Sequence, residues 1–148
     1  MNFSDTAGFK LAKLTRLKRQ LLDAYLSKFG LSRTQWQAMF WLDILDNPVP
    51  QQDILKNMEL DAGHLARVLD QLEKIGYVVR HRAENNRRAV LVTLTTEGKK
   101  LNSLIKIAVK KETEVLFKDF SPGEKTQFIE QLDKITHNIT LALEKEIK

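Results

Sequence analysis

The chain of 148 residues carries a formal net charge of +5, and 43% of its residues are hydrophobic. These values fit one folded domain, or one domain with added helices, and the excess of positive charge favours a polyanionic partner. The sequence has no cysteine, which excludes disulfides, thiolate metal sites and thiol-based redox switching within this chain.

The first predicted element is a helix over residues 8–29, which Gly30 ends. Its many leucine and aromatic positions cover more than one side of the helix, so one packing partner cannot bury them all. We therefore expect Leu14 and Leu17 to contact a second copy of the chain.

Two further helices precede the most informative part of the sequence. Ser32 can cap the first of them, which carries an apolar cluster of Trp36, Met39, Phe40 and Trp41. A break at residues 47–50 leads to a short helix from Gln51 to about Met58, and a brief turn follows. This short helix, the turn and the next helix predict a helix-turn-helix unit, and the aromatic cluster is interpreted mainly as its core.

The helix from Asp61 to Gly76 separates its apolar and polar residues most clearly. Asp61 is a good N-cap and Gly76 is a typical end. One stripe is apolar, and the opposite stripe holds His64, Arg67, Gln71 and Lys74. A solvated outer face is the ordinary interpretation of such a polar stripe, but the segment that follows favours contact with DNA.

Two runs of strand length follow this helix, at residues 77–82 and 89–94. Between them lies a segment of turn composition that brings Arg87 and Arg88 to the tip. Adjacent arginines are often only solubilising charges, but beside a basic helix a phosphate or minor-groove contact explains them better. A helix followed by a basic hairpin predicts a winged helix-turn-helix fold, mainly α with a small β-hairpin wing.

Two long helices complete the predicted fold. Thr95 can cap the first, and residues 121–124 form a capping box with proline at the first helical position of the second. The last helix has an apolar stripe that includes Leu132, Ile135 and Ile139. The small helix-turn-helix core cannot cover all these faces, so we expect a homodimer, with a monomer of folded-back helices as the alternative.

The sequence offers little for catalysis, cofactors or metals. None of its three histidines lies at zinc-ligand spacing from another, and it has no glycine-rich phosphate loop and no nucleophile with a plausible base. No run approaches the roughly 18 apolar residues of a membrane span, and the first ten residues lack a signal-peptide core. We expect a soluble, cytoplasmic protein that is not an enzyme, has no cofactor or metal, and does not bind a membrane.

Over nearly its full length the chain resembles the MarR/SlyA family of bacterial winged-helix transcription regulators. The matching segments are LSRTQW at 31–36, ARVLDQLEKIGYVVR at 66–80, NRRAVLVTLTTEG at 86–98 and SPGEK at 121–125. The block from 66 to 98 is the specific part, a helix-to-wing signature that chance rarely supplies. The resemblance implies a homodimer that binds double-stranded DNA at a palindromic operator, and we expect it to act as a repressor. It also implies release by a small aromatic or anionic effector.

The resemblance also implies how the chain is organised. It implies one MarR-type domain over residues 1–148, with a DNA-binding core at 32–95. The dimerisation helices lie at 8–30 and 97–146. An effector cleft in the family lies where the second helix meets the first and fifth, which makes Trp36 and Phe40 candidate pocket residues, although core packing is the favoured explanation of both.

Site residues follow from the same resemblance. The recognition helix directs Gly63, His64 and Arg67 toward the major groove, and Gln71 lies on the same stripe. The wing directs Arg87 into the minor groove, with Asn86 and Arg88 beside it. An acidic residue placed like Asp70 holds a wing arginine in the family, and our hypothesis pairs Asp70 with Arg88 or Arg80.

The chain departs from the family at two points. Asn86 stands where the family commonly has aspartate, so an ion pair that stiffens the wing becomes a neutral hydrogen bond. Ala62, His64 and Ala66 occupy a region where the family often has serine or threonine, which leaves the operator sequence undetermined.

Two other functions remain open at this point. One is a winged-helix module that binds proteins and does not read DNA, and the positive wing argues against it. The other is an architectural DNA binder without sequence preference. A capped recognition helix whose side chains can reach base edges argues mildly against that second alternative.

Overall fold

The structure, a computed structural model, describes residues 2–147, except for the side chains of residues 86–88. Within this part of the chain, six α-helices and three β-strands make a mainly helical fold with a small antiparallel sheet. The elements are α1 (Ala7–Leu26), α2 (Arg33–Ile44), β1 (Val49–Pro50), α3 (Gln51–Lys56), α4 (Ala62–Ile75), β2 (Val78–Ala83), β3 (Asn86–Leu94), α5 (Thr96–Leu116) and α6 (Pro122–Ile147). The predicted fold class is confirmed.

The predicted helix ends are largely confirmed by the capping hydrogen bonds. Ser32 and Gln35 form a reciprocal capping box at the start of α2. The side chain of Asp61 accepts a hydrogen bond from the backbone N–H of His64 at 2.7 Å. Gly76 ends α4 in the left-handed conformation, with φ of 99°.

The first helix is shorter than predicted. The α-helix stops at Leu26, and a turn of 3₁₀ helix at Ser27–Phe29 carries the chain to Gly30, whose φ is 69°. A tightened last turn is a common way for a helix to satisfy its final carbonyl groups. The apolar periodicity continues through this turn, which explains why the sequence pattern alone placed the helix end at Phe29.

A third strand was missed by the sequence analysis. Residues 47–50 were predicted only as a break, but Val49 and Pro50 pair with β3 as the short edge strand β1. Proline is tolerated at a sheet edge because its missing N–H faces away from the ladder. The sheet order is β1–β3–β2, and Val92 of β3 lies between Val49 and Arg80.

By its contacts the chain divides into two compact units, Met1–Glu112 and Thr113–Lys148. The first unit contains a core made by α1 to α5 and the sheet, in which Leu42, Leu69 and Val92 have no exposed surface. The second unit contains a cluster of three phenylalanines whose ring centroids lie 5.4–6.3 Å apart. The domain boundaries expected from the sequence stay a prediction.

The last helix contrasts with the core in its exposure. No residue of α6 within the described part of the chain is buried. Ile135 is 40% exposed and Ile139 is 56% exposed, and Leu132 is half-buried. In α1, Leu14 and Leu17 are also exposed, at 42% and 44%. None of the helices described is long and apolar enough to cross a lipid bilayer.

Candidate nucleic-acid interface

Helix α4 buries one face and leaves the other in solvent. Its apolar stripe, from Leu65 to Leu72, lies in the core. The outer stripe carries Gly63, Arg67 and Gln71, which are exposed, and His64, which is half-buried. The predicted polar stripe therefore lies on the surface.

Gly63 leaves space beside the most basic side chain of this surface. A Cβ atom added at position 63 would lie 3.7 Å from a terminal nitrogen of the Arg67 guanidinium and 3.5 Å from Oδ1 of Asp61. These are ordinary van der Waals distances, so a small side chain would fit, but a larger one would compete with Arg67 for its position. The three residues form one surface at the start of α4.

Arg80 joins strand β2 to helix α4 through ion pairs. Its guanidinium in β2 pairs with Asp70 and lies 3.3 Å from Oε1 of Glu73, both on α4. Its backbone N–H also donates to Oε2 of Glu73 at 2.9 Å. Of the two partners in the sequence hypothesis, Arg80 is the one that pairs with Asp70. The side chain of Arg88 lies outside the described residues.

The two carboxylates also affect the pKa of Arg80. Burial alone would lower the pKa of its guanidinium, but the hydrogen bonds and charges of Asp70 and Glu73 outweigh it, so this pKa is raised above its ordinary value. The contacts of Arg80 with Asp70 and Glu73 hold β2 against α4. The side chains of Asn86 and Arg87 lie outside the described residues, so their predicted wing contacts stay a prediction.

Gln71 is joined to α2 as well as exposed to solvent. Its Oε1 atom accepts a hydrogen bond from Nε2 of Gln35 at 2.8 Å. Gln35 is the third residue of α2 and belongs to the capping box at Ser32. The sequence analysis placed Gln71 on the groove-facing stripe but gave no partner for it, since the two glutamines are 36 positions apart.

The aromatic cluster of α2 lies mainly in the core, as favoured from the sequence. Trp36 is 6% exposed, and its indole N–H donates to Asp23 of α1 at 3.4 Å. Phe40 is half-buried and packs against the core. Asp23 also pairs with Arg33, and this hydrogen bond raises the pKa of the Arg33 guanidinium above its ordinary value. The pocket role of Trp36 and Phe40 stays a prediction.

A different cavity opens on the neighbouring face of α2. It has a volume of about 400 Å³ and lies between α1, α2 and the turn that joins α3 to α4. Arg19, Arg33, Trp41 and Glu59 are among the residues that line it. Among the described residues, no group of three or more histidine, aspartate or glutamate side chains could hold a metal ion.

Comparison with known proteins agrees with this geometry. The family model described as MarR family matches residues 31–90. The solved transcriptional regulator PA3341 is 27% identical, with a TM-score of 0.82 over 91% of this chain and 98% of that one. A mutant of E. coli MarR complexed with operator DNA is 25% identical, with a TM-score of 0.76 over the same shares.

A third structure, with lower sequence identity, is similar to this chain in fold. The MarR transcriptional regulator from Methanosarcina mazei is 24% identical, with a TM-score of 0.79 over 91% of this chain and 90% of that one. The recognition helix and the hairpin therefore belong to a winged-helix scaffold that extends over most of the chain. The comparisons confirm the resemblance noted from the sequence.

Proposed function

Because residues 31–90 match the MarR family model, and most of the chain has the fold of MarR-family regulators, we propose that the protein is a transcription regulator that binds operator DNA. The observation that carries this proposal is the outer face of α4. It presents His64, Arg67 and Gln71 to solvent from a capped, well-buried helix. This is a binding function, and we assign the protein no catalysis.

Arg67 is our candidate for base recognition. Its side chain is exposed on the outer stripe, and no carboxylate among the described residues pairs with it. An unpaired arginine can bind the guanine edge through two hydrogen bonds and discriminate against other bases by about 1–3 kcal/mol. Gly63 supports this role because it leaves the guanidinium free to move toward a base.

We propose that the protein works as a homodimer on a palindromic operator and represses transcription. The exposed apolar stripes of α1 and α6 support the dimer, since Leu14, Leu17 and the last-helix isoleucines lack cover within one chain. Two-fold symmetry would place two recognition helices about one turn of DNA apart, which a palindrome matches. Repression then follows if the site overlaps a promoter.

We further propose that a small aromatic or anionic effector releases the DNA. Trp36 and Phe40 were the candidates from sequence, but the cavity at Arg19, Arg33 and Trp41 offers charge and an aromatic face together. Benzoate is a suitable probe: it should dissociate the operator complex of the parent protein at a lower concentration than that of Arg19→Gln. Arg16→Gln, on α1 but outside this cavity, is the matched control.

A footprint on the DNA upstream of the coding region tests the main proposal. The purified protein should protect a two-fold symmetric site and should bind random duplex DNA much more weakly. A protein-interaction module would leave all DNA unprotected. An architectural binder would bind operator and random duplex equally, so either result would overturn the assignment as a regulator.

A further inference from the structure

The side chain of Gln35 has only one orientation that satisfies its neighbours. Its Oε1 atom accepts a hydrogen bond from the backbone N–H of Ser32 at 2.9 Å. A backbone N–H is always a donor, so the atom facing it must be the amide oxygen and not the amide nitrogen. Nε2 of Gln35 is therefore the atom left to face α4.

This orientation determines that of Gln71. Nε2 of Gln35 can only donate a hydrogen bond, so the atom of Gln71 that faces it must be an acceptor. That atom is Oε1 of Gln71, at 2.8 Å. The oxygen is then turned toward α2, where one of its two lone pairs accepts from Gln35. No described residue accepts a hydrogen bond from the amide group of Gln71, whose side chain is exposed on the outer stripe of α4.

We propose that Gln35 is a positioning residue that makes Gln71 a hydrogen-bond donor toward DNA. This inference rests on the proposed function. A glutamine with both amide groups free matches adenine, which offers one acceptor and one donor in the major groove. Gln71 with its oxygen turned toward α2 presents its amide N–H groups instead, and these suit acceptor atoms: purine N7, guanine O6, thymine O4 or a phosphate oxygen.

The substitution Gln35→Glu isolates this effect. Glutamate serves as well as glutamine in a capping box, because its carboxylate still accepts from the N–H of Ser32. It has no hydrogen to donate, so Gln71 must turn its amide around and donate to the introduced carboxylate. The oxygen of Gln71 would then face outward, and its DNA-facing chemistry would change from donor to acceptor.

A double-mutant cycle removes the effect of the added negative charge. Operator affinity is measured for the parent protein, Gln35→Glu, Gln71→Ala and the double variant. The charge introduced at position 35 weakens binding in both backgrounds, but the reorientation matters only when Gln71 is present. We therefore expect Gln35→Glu to weaken operator binding about three- to tenfold more in the parent background than in the Gln71→Ala background.

Selection from a randomised duplex pool identifies which acceptor Gln71 contacts. A base contact predicts one position in each half-site whose preference is lost in Gln71→Ala and moves to adenine or cytosine in Gln35→Glu. A phosphate contact predicts unchanged preferences with a uniform loss of affinity. Either result, together with the cycle, supports a donor role for Gln71.

Equal effects of Gln35→Glu in both backgrounds would overturn the inference. If the parent protein bound no DNA, the proposed function itself would fail, and the two failures are therefore distinct. Nuclear magnetic resonance of the free protein gives a check that needs no DNA. Removing Gln71 should shift the side-chain amide protons of Gln35, and an unchanged signal would contradict the hydrogen bond on which the inference depends.

Discussion

Helices α4 and α6 are both amphipathic and both capped, but they differ in what covers their apolar residues. In α4, Leu65 and Leu69 are at most 1% exposed, because α2, α3 and the sheet lie against them. In α6 no described residue is buried, and Ile139 is more than half exposed. Local signals thus form a helix in both cases, whereas burial distinguishes the helix covered within the chain from the one whose apolar residues stay exposed.

The largest expected effect tests the covered helix. Leu69→Ala removes a side chain without exposed surface and should lower the free energy of unfolding by about 2–5 kcal/mol. Leu141→Ala, at a position that is 45% exposed on α6, should change it by less than about 0.5 kcal/mol. Urea titration of both variants measures the difference, and equal losses would contradict the contrast between the two helices.

The next effect tests the uncovered helix. Replacing Ile135 and Ile139 together by glutamate should dissociate the proposed dimer. Operator binding should weaken about 100-fold, because the two α4 helices of the dimer no longer bind the two half-sites together. The fold around α4 should persist, with unchanged near-ultraviolet circular dichroism. Light scattering and footprinting on one sample provide the measurement. A variant that stays dimeric and protects the full site would remove α6 from the interface.

Within the proposed DNA-binding surface, substitutions of Arg67 and Arg87 should have different effects on DNA affinity. Arg67→Ala is expected to reduce the difference in binding free energy between operator and random DNA by about 1–3 kcal/mol. Arg87→Ala should weaken binding to all sequences and reduce the salt dependence, since a cation in the minor groove releases counterions. Titrations across a salt series separate these outcomes. Equal losses on both DNAs for Arg67→Ala would make Arg67 a phosphate contact.

The smallest effect concerns the start of α6. The backbone N–H of Ser121, and after it the hydroxyl of Ser121, lower the pKa of the Glu124 carboxyl below its ordinary value. A lowered pKa stabilises the fold above the ordinary glutamate range, and this contribution is lost as the pH falls through the lowered value. Glu124→Gln should flatten that acid dependence slightly. Thermal unfolding of both proteins below about pH 5 is the test, and identical slopes would count against it.

Features encoded by neighbouring residues could be predicted from the sequence. The caps at Ser32 and Asp61 and the turn at Gly76 each depend on residues within one helical turn, and the structure has all three. The amphipathic stripe of α4 could be predicted equally well, because its period is set by helix geometry. The same local information was sufficient to predict the order helix, hairpin, helix.

Contacts between distant residues could not be predicted in this way. Strand β1 has two residues and no alternation, and only β3 makes it a strand. The Gln35–Gln71 bond joins helices whose spacing depends on the packed core. The cavity lined by Arg19 and Arg33 likewise forms only when α1 meets α2.

One junction has a mechanical consequence for the reading helix. Beyond Gly76, the backbone N–H and the hydroxyl of Thr95 donate to the carbonyls of Tyr77 and Gly76 at 3.0 and 2.6 Å. A Cβ at position 98 would lie only 2.1 Å from the Tyr77 carbonyl oxygen, so the first turn of α5 rests directly on the end of α4.

Helix α4 is therefore joined to α5 at its carboxyl end, in addition to the packing of its apolar face. Its 14 residues span about 21 Å at about 1.5 Å per residue. A rotation of about 5° at the junction with Thr95 would move the opposite end, where Gly63 and His64 lie, by about 2 Å. That displacement exceeds the range of about 0.5 Å over which a hydrogen bond keeps its normal length. In the proposed complex with DNA, a rotation of this size would thus be large enough to misalign the amino end of the helix with the bases.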